Sequence, residues 1–182
     1  MTFYNIIFGI LFLGACRELF LAGFHGKWKD FCVATTIALL VFNDTLFTSH
    51  EIESLKLTYS VSMKLIDLLD FLLLTAVIVI LNPAGNFLGI AVKGRFYAHW
   101  REPIIWGLLS SYWLLGLAWN KLADVYSQGI GYREGVSFLL LVPFVFMTIV
   151  SFWPLTKLAR FSRWSIILIL LSYILFKAHA YY

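Results

Sequence analysis

Six apolar segments, separated by short polar or proline-containing stretches, set the pattern of this chain. A helix rises 1.5 Å per residue and needs about 20 residues to cross the hydrocarbon core of a bilayer. The segments that reach or approach this length are residues 2–23, 31–49, 63–81, 103–122, 135–153 and 162–181. The pattern therefore predicts an all-α fold, a polytopic transmembrane helical bundle of about six spans with both termini on one side.

Prolines mark several of the predicted boundaries. Asn82-Pro83 and Pro154 are expected to stop the third and fifth helices, because proline lacks the N–H that a helix interior needs. Pro103 suits the first turn of the fourth helix, and Pro143 is expected to kink the fifth. The second and third segments carry polar residues, so a bundle of four spans, with these two segments at the membrane surface, is the alternative.

The composition agrees with a membrane environment. Hydrophobic residues make up 61% of the 182 residues and charged residues 13%, and the mean hydropathy is +0.85. Soluble domains are about 45–50% apolar and about 25% charged, so a soluble core of this size could not hide the apolar surface. We therefore interpret residues 1–182 as a single membrane-embedded helical domain, and we exclude a disordered chain and a disulfide scaffold.

Basic residues are divided unequally between the two sets of loops. The loops on one side, with the adjoining helix ends, hold eight basic residues and the acids Asp30 and Glu102, whereas the other side holds five basic and seven acidic residues. The eight basic residues are Lys27, Lys29, Lys93, Arg95, Arg101, Lys157, Arg160 and Arg163. Cytoplasmic loops carry the excess of Lys and Arg, so we expect loops 1, 3 and 5 in the cytoplasm and both termini outside.

The third loop, residues 84–102, mixes basic and aromatic residues. Lys93, Arg95 and Arg101 are interspersed with rings such as Phe96 and Trp100. A segment of this kind suits the headgroup region of a bilayer, where basic side chains bind anionic headgroups. The same mixture serves nucleic-acid binding in other contexts. Beside two predicted spans we interpret it as an interfacial loop that contacts lipid, with no nucleic acid as partner.

Polar side chains recur near the outer ends of four predicted spans. Ionisable groups inside a span cost about 2.5–3.5 kcal/mol each, so they need a partner or a function. Lys64, Asp67 and Asp70 recur every third residue, which places them on one stripe of a helix. We interpret these groups as an outward-facing vestibule for an ion or small solute, with salt bridges between helices as the alternative. The predicted pathway residues are Asn43, Asp44, Lys64, Asp67, Asp70, Asn120, Lys121 and Lys177.

Arg17 and Glu18 form a second charged feature, inside the first predicted span. Both are candidates for an intramembrane ion pair. Adjacent residues of a helix point about 100° apart, so we expect each of them to find its partner on a neighbouring helix or to extend toward the membrane surface.

The four histidines are expected in pairs at opposite ends of the bundle, His25 with His99 and His50 with His179. This topology resembles that of di-haem cytochromes b, in which two histidines bind each haem near a membrane surface. The resemblance implies haem b as an optional cofactor. Axial ligation needs two rings that face one iron inside the bundle, whereas these histidines fall at helix ends, so we favour no cofactor and predict no metal site.

Three classes of function are compatible with these patterns. An oligomeric channel or transporter is favoured by the polar groups within spans. A non-catalytic subunit of a larger membrane complex is favoured by the 18% aromatic content, because aromatic rings are frequent in interfaces. A b-type haem or quinone electron carrier is the third. The chain has no GxSxG, HExxH, Walker or GxGxxG motif, so an enzyme is disfavoured. The expected partners are the lipid bilayer and either further copies of this chain, as a homo-oligomer, or other membrane subunits.

Overall fold

The computed structural model describes residues 3–48, 60–81, 95–122, 132–152 and 156–181, and every regular element in these ranges is a helix. The helices are α1 (Phe3–Phe24), α2 (Trp28–Asn43), α3 (Val61–Leu81), α4 (Arg95–Leu122), α5 (Tyr132–Val150) and α6 (Thr156–Tyr181). A π-helical turn, Asp44–Thr48, extends α2. The predicted all-α class is thus confirmed for the described chain.

The turn between α1 and α2 is short because glycine closes the end of α1. Gly26 has a φ of 64°, a left-handed conformation that glycine adopts without steric cost. Its N–H donates to the carbonyl of Gly23 at 3.2 Å, and the N–H of Lys27 donates to that of Ala22 at 2.9 Å. This is a Schellman motif. It allows α2 to begin at once and to pack antiparallel against α1.

The six helices form a closed ring in which the order of neighbours is α1, α2, α6, α5, α4 and α3, with α3 returning to α1. A contact between α2 and α3 crosses the ring. The centre is filled by large apolar side chains that are almost fully buried. These include Phe8, Leu11, Ile37, Leu40, Leu74, Ile78, Trp106, Leu109, Phe144 and Met147. Chain direction alternates, so each end of the ring gathers one end of every helix.

Two helix starts differ by more than three residues from the sequence-based prediction. α4 begins at Arg95 and not at Pro103, so Pro103 lies inside the helix and residues 95–102 are helical where an interfacial loop was expected. Proline costs this helix one backbone hydrogen bond. Ionic contacts of Arg101 and Glu102 with other helices hold the additional turns. α6 begins at Thr156 and not at residue 162.

The exterior of the bundle is apolar. Leu13, Phe20, Phe24, Phe161 and Leu175 are all more than two-thirds exposed. Three helical segments are long and apolar enough to cross a membrane, namely Ile6–Phe24, Trp28–Phe47 and Lys157–His179. The apolar stretch Phe138–Val150 is shorter. α3 has 21 residues, which is sufficient length, but it carries three charged side chains.

Candidate functional site

Among the described residues, charged side chains collect toward the two ends of the ring. The carboxylate end comprises Asn43 to Phe47, Asp67, Asp70, Tyr112 and Lys177. The ion-pair end comprises Lys29, Asp30, Arg101, Glu102 and Arg163. About ten residues of α3 separate Asp70 from Leu81 at the ion-pair end, which corresponds to ~16 Å along the helix axis. The two groups are therefore separate sites.

α3 contributes two buried carboxylates to the carboxylate end. Asp67 is 9% and Asp70 5% exposed, whereas Lys64 on the same stripe is exposed. The three-residue spacing puts these side chains on one face of α3. This face is exposed at Lys64, and from Asp67 onward it points into the interior of the ring. Charged side chains are rarely buried in proteins unless they are paired, so two buried carboxylates on one face mark this stripe as a site.

α2 contributes a third carboxylate through its π-helical turn. Asn43 donates from Nδ2 to Asp44 Oδ1 at 3.1 Å, and the hydroxyl of Tyr112 in α4 donates to Asp44 Oδ2. Both oxygens of Asp44 therefore accept a hydrogen bond from a neutral donor. π-Helical turns shift the register of side chains and are frequent at functional sites. Here the turn begins at Asp44 itself.

Asp70 is distinguished by an oxygen without a hydrogen-bond partner. Among the described residues, no group donates to the buried atom Oδ1 of Asp70. Asp44 and Asp67 are close enough to act on Asp70 electrostatically. A buried polar atom without a partner costs about 1–3 kcal/mol. Asn43 Oδ1 at the same end is also buried without a partner among the described residues, but only the Asp70 oxygen belongs to a carboxylate, so it is the better candidate for binding a positive charge.

Lys177 of α6 brings a positive charge to the same end. The side chain is buried, and its Nζ lies 4.9 Å from the ring centre of Phe47 in the π-helical turn. The ring centre of Tyr173, one turn earlier in α6, lies 5.5 Å from the same atom. Both distances are within the range of cation–π attraction. α2, α3, α4 and α6 thus all supply groups to the carboxylate end.

The remaining predicted pathway residues lie at this end but nearer the surface. Lys64 and Lys121 are exposed, and Asn120 is half-buried. The structure therefore brings together five of the eight predicted residues, which are Asn43, Asp44, Asp67, Asp70 and Lys177.

Tyr112, Phe47 and Tyr173 are site residues that the sequence analysis missed. Tyr112 follows two serines in an apolar helix, where the small residues indicate close packing. A tyrosine in such a helix needs a partner for its hydroxyl, and that requirement is the signal that could have found it. The two rings near Lys177 give no comparable signal, because a buried ring is usual in any core.

At the ion-pair end, Arg101 links three helices. Its guanidinium pairs with Asp30 of α2 at 2.9 Å and donates to the carbonyls of Ile80 and Leu81 at 3.2 and 2.6 Å. These carbonyls belong to the last turn of α3, whose orphan acceptors favour a cation. Arg101 therefore binds within the bundle, where a contact with lipid headgroups was expected. Lys93 and the side chain of Arg95 lie outside the described residues.

Glu102 connects the next helices of the same end. It pairs with the buried Arg163 of α6 and with Lys29 of α2, the latter at 3.5 Å. Trp28 and Trp164 pack beside this pair with ring centres 5.2 Å apart. Together the contacts of Arg101 and Glu102 join α2, α3, α4 and α6.

Arg17 and Glu18 also depart from expectation. Arg17 Nη1 lies 2.6 Å from Glu18 Oε1, so the two neighbours pair with each other although adjacent residues of a helix point about 100° apart. The Arg17 side chain is half exposed, while that of Glu18 is buried. Glu18 borders a cleft of about 130 Å³ next to the ion-pair end. The cleft is lined by Glu18, Leu21, Ala22, His25, Lys27, Asp30 and Leu81.

The histidines show no convergence within the described part of the chain. His25 follows α1 and His179 lies in the last turn of α6, and both side chains are exposed. His50 and the side chain of His99 lie outside the described residues. Among the residues described, no group of three or more His, Cys, Asp or Glu side chains is arranged to hold a metal ion.

Comparisons with protein-family profiles, with characterised proteins and with solved structures give no match to this chain.

Proposed function

We propose that this chain is an integral membrane protein of six spans that transports a proton or a small monovalent cation through its carboxylate end. The observation that carries the proposal is Asp70, a buried carboxylate with an unpartnered oxygen beside two further carboxylates. Such a group in a bundle with an apolar exterior is a binding point for positive charge. Intramembrane carboxylates commonly mark ion and proton pathways.

The membrane location is supported by the inverted distribution of polar groups. Glu18, Asp67, Asp70, Arg163 and Lys177 are buried, while leucine and phenylalanine side chains cover the outside. A soluble protein has the opposite distribution, because burying charge and exposing apolar surface both cost free energy in water. In a bilayer the same arrangement is favourable.

The direction in which the charges of α3 point supports the proposed six-span topology. Asp67 and Asp70 face the interior of the ring, so α3 presents mainly leucine side chains outward despite its charged residues. The alternating helix directions are those that a bundle with six spans needs, and they support the proposal in the same way. The excess of basic residues in the loops supports an orientation with the ion-pair end in the cytoplasm and the carboxylate end outside.

The transport step itself requires a site that binds positive charge and releases it. Three carboxylates against one buried lysine leave the carboxylate end with excess negative charge when all are ionised. A proton or a monovalent cation offsets this excess, and the contrast between Asp44 and Asp70 indicates where it binds. Asp44 is held by two donors, and Asp70 offers a free acceptor.

The test is flux in liposomes that contain the purified protein. Acidification is followed with a trapped pH dye, and Na⁺ and K⁺ movement with ion-selective dyes, each under an imposed gradient. We expect Asp70→Asn to lower flux at least tenfold, because the amide keeps the shape but loses the negative charge. Lys157→Gln, at an exposed position outside the carboxylate end, is the control and should retain flux. Wild-type flux in a folded Asp70→Asn protein would contradict the proposal.

The second candidate is a non-catalytic subunit of a membrane complex, and exposed aromatic rings favour it. Phe20, Phe24 and Phe161 are each more than 70% exposed, and rings of this kind are enriched at interfaces. The mass and composition of the particle extracted in a mild detergent distinguish the candidates. An assembly of this chain alone supports a transporter, whereas other polypeptides in fixed ratio support the subunit.

A further inference from the structure

Lys177 is the one lysine that is buried among the side chains the structure describes. It belongs to α6, whereas the three carboxylates belong to α3 and to the turn that extends α2. Burying an ammonium group is costly unless opposite charge or aromatic faces surround it. Burial of Lys177 therefore costs the fold free energy. The residue lies at the end of the bundle for which we propose cation binding.

The ammonium group is held at the edge of the carboxylate end by two aromatic rings. Phe47 lies three residues after Asp44, in the same π-helical turn, and its ring centre is 4.9 Å from Nζ. Tyr173 lies four residues before Lys177 and its ring contacts Trp113 of α4, the residue that follows Tyr112. The rings thus connect Lys177 to the two elements that bind Asp44.

We infer that the Lys177 ammonium is a built-in competitor for the transported cation. Without bound cargo, it offsets part of the negative charge of the carboxylate end, in which Asp44 lies three residues before Phe47. An incoming cation repels it, because like charges at short distance in a medium of low dielectric interact strongly. The rings of Phe47 and Tyr173 hold the displaced ammonium. This inference rests on the proposed function and concerns the affinity and the release of the cargo at that same site.

If Lys177 competes with the cargo, its charge affects the KM for the cation, whereas a purely structural role of Lys177 does not predict this effect. Without the ammonium charge, the carboxylates bind the cargo more tightly and release it more slowly. We therefore expect Lys177→Met to lower the KM for the transported cation at least tenfold and to lower the maximal rate as well. Lys177→Arg keeps the charge, so its KM should stay within about threefold of the wild-type value, since charge and not side-chain shape sets the competition.

A second variant keeps Lys177 and should change the KM in the opposite direction. Phe47→Leu deletes one cation–π contact, so the ammonium spends more time at the carboxylates and competes better. We expect its KM to rise by about two- to fivefold, the effect of losing one such contact. This variant also serves as the test if Lys177→Met does not fold.

The measurements are initial rates of H⁺, Na⁺ and K⁺ uptake in proteoliposomes, each cation varied alone. An unchanged KM in folded Lys177→Met overturns the inference, as does an equal change in Lys177→Arg. For Phe47→Leu, an unchanged or lower KM overturns it. If wild-type protein moves none of the three cations, the proposed function fails and the inference fails with it. Wild-type flux together with unaltered KM values in the variants contradicts the inference and leaves the proposed function standing.

Discussion

Asp44 and Asp70 are chemically identical side chains in different surroundings. Asp44 accepts hydrogen bonds from Asn43 and Tyr112, while Oδ1 of Asp70 has no donor among the described residues. A carboxylate whose oxygens are both bound is fixed in orientation, and a carboxylate with a free oxygen can bind a ligand without first losing a partner. The two residues therefore have separate roles, with Asp44 positioned by its neighbours and Asp70 available.

Tyr112→Phe tests the positioning of Asp44. The change removes the hydroxyl and leaves Asp44 Oδ2 without this buried donor, so we expect the free energy of unfolding to fall by about 1–3 kcal/mol. The measurement is thermal or denaturant unfolding of the detergent-solubilised protein. Ser111→Ala is the control, because Ser111 is exposed and its hydroxyl donates only to the carbonyl of Gly107 in its own helix. Equal stability of Tyr112→Phe and wild type would contradict this role.

Sequence reasoning at the residue scale finds what local spacing encodes. The three-residue repeat identified Asp67 and Asp70 as one stripe, and both are buried. The same repeat included Lys64, which is exposed, since spacing alone does not say where a stripe leaves the interior. The bond from Tyr112 to Asp44 joins residues 68 positions apart. Only the packing of α4 against the end of α2 creates it.

At the scale of elements, the interiors of the helices were predictable and their ends were not. Apolar runs predicted a helix in each of the six regions. The start of α4 at Arg95 depends on ionic contacts with α2, α3 and α6, and no local pattern contains this information. Pro103, which suits a first turn in sequence, lies inside the helix because these contacts outweigh the loss of one backbone hydrogen bond.

The pair of Glu102 and Arg163 should dominate the stability of the ion-pair end. Glu102→Gln leaves Arg163 buried without its counter-charge, and breaking a buried pair in this way costs about 3–5 kcal/mol. We expect a loss of at least about 2 kcal/mol, because the Glu102 side chain is 28% exposed. Lys29→Gln breaks the exposed pair with the same glutamate and should cost less than about 1 kcal/mol. Similar losses in the two variants, measured by denaturant unfolding, would contradict the assignment.

For the whole molecule, composition predicted a membrane environment and charge bias predicted an orientation, but neither could give the order of helices around the ring. That order places α2 between α1 and α6 and lets α2 reach α3 across the ring. Such contacts join segments far apart in sequence, and they assemble the carboxylate end from four helices. The prediction that basic residues divide as eight on one side against five on the other rests on the loops alone.

The proposed orientation is testable with introduced cysteines. In a background with Cys16 and Cys32 replaced by serine, Arg160→Cys places a thiol at an exposed position near the ion-pair end, and Lys121→Cys places one at the opposite end. With both termini outside, a membrane-impermeant maleimide added to intact cells should label Lys121→Cys and not Arg160→Cys. Permeabilised cells should show labelling of both. The reverse pattern would invert the orientation, and labelling of both in intact cells would exclude a sealed bundle.

The helices of the ring differ greatly in length, and this has a consequence for the surrounding lipid. α4 has 28 residues and α2 has 16, which correspond to ~42 Å and ~24 Å at 1.5 Å per residue. The hydrocarbon core of a bilayer is about 30 Å thick. In the proposed location α4 must tilt or project beyond the core, while α2 reaches its full depth only through the π-helical turn that carries Asp44. In that location, a mismatch between the bilayer thickness and the length of α2 acts on the π-helical turn. The acyl-chain length of the lipid then affects the geometry of the carboxylate end.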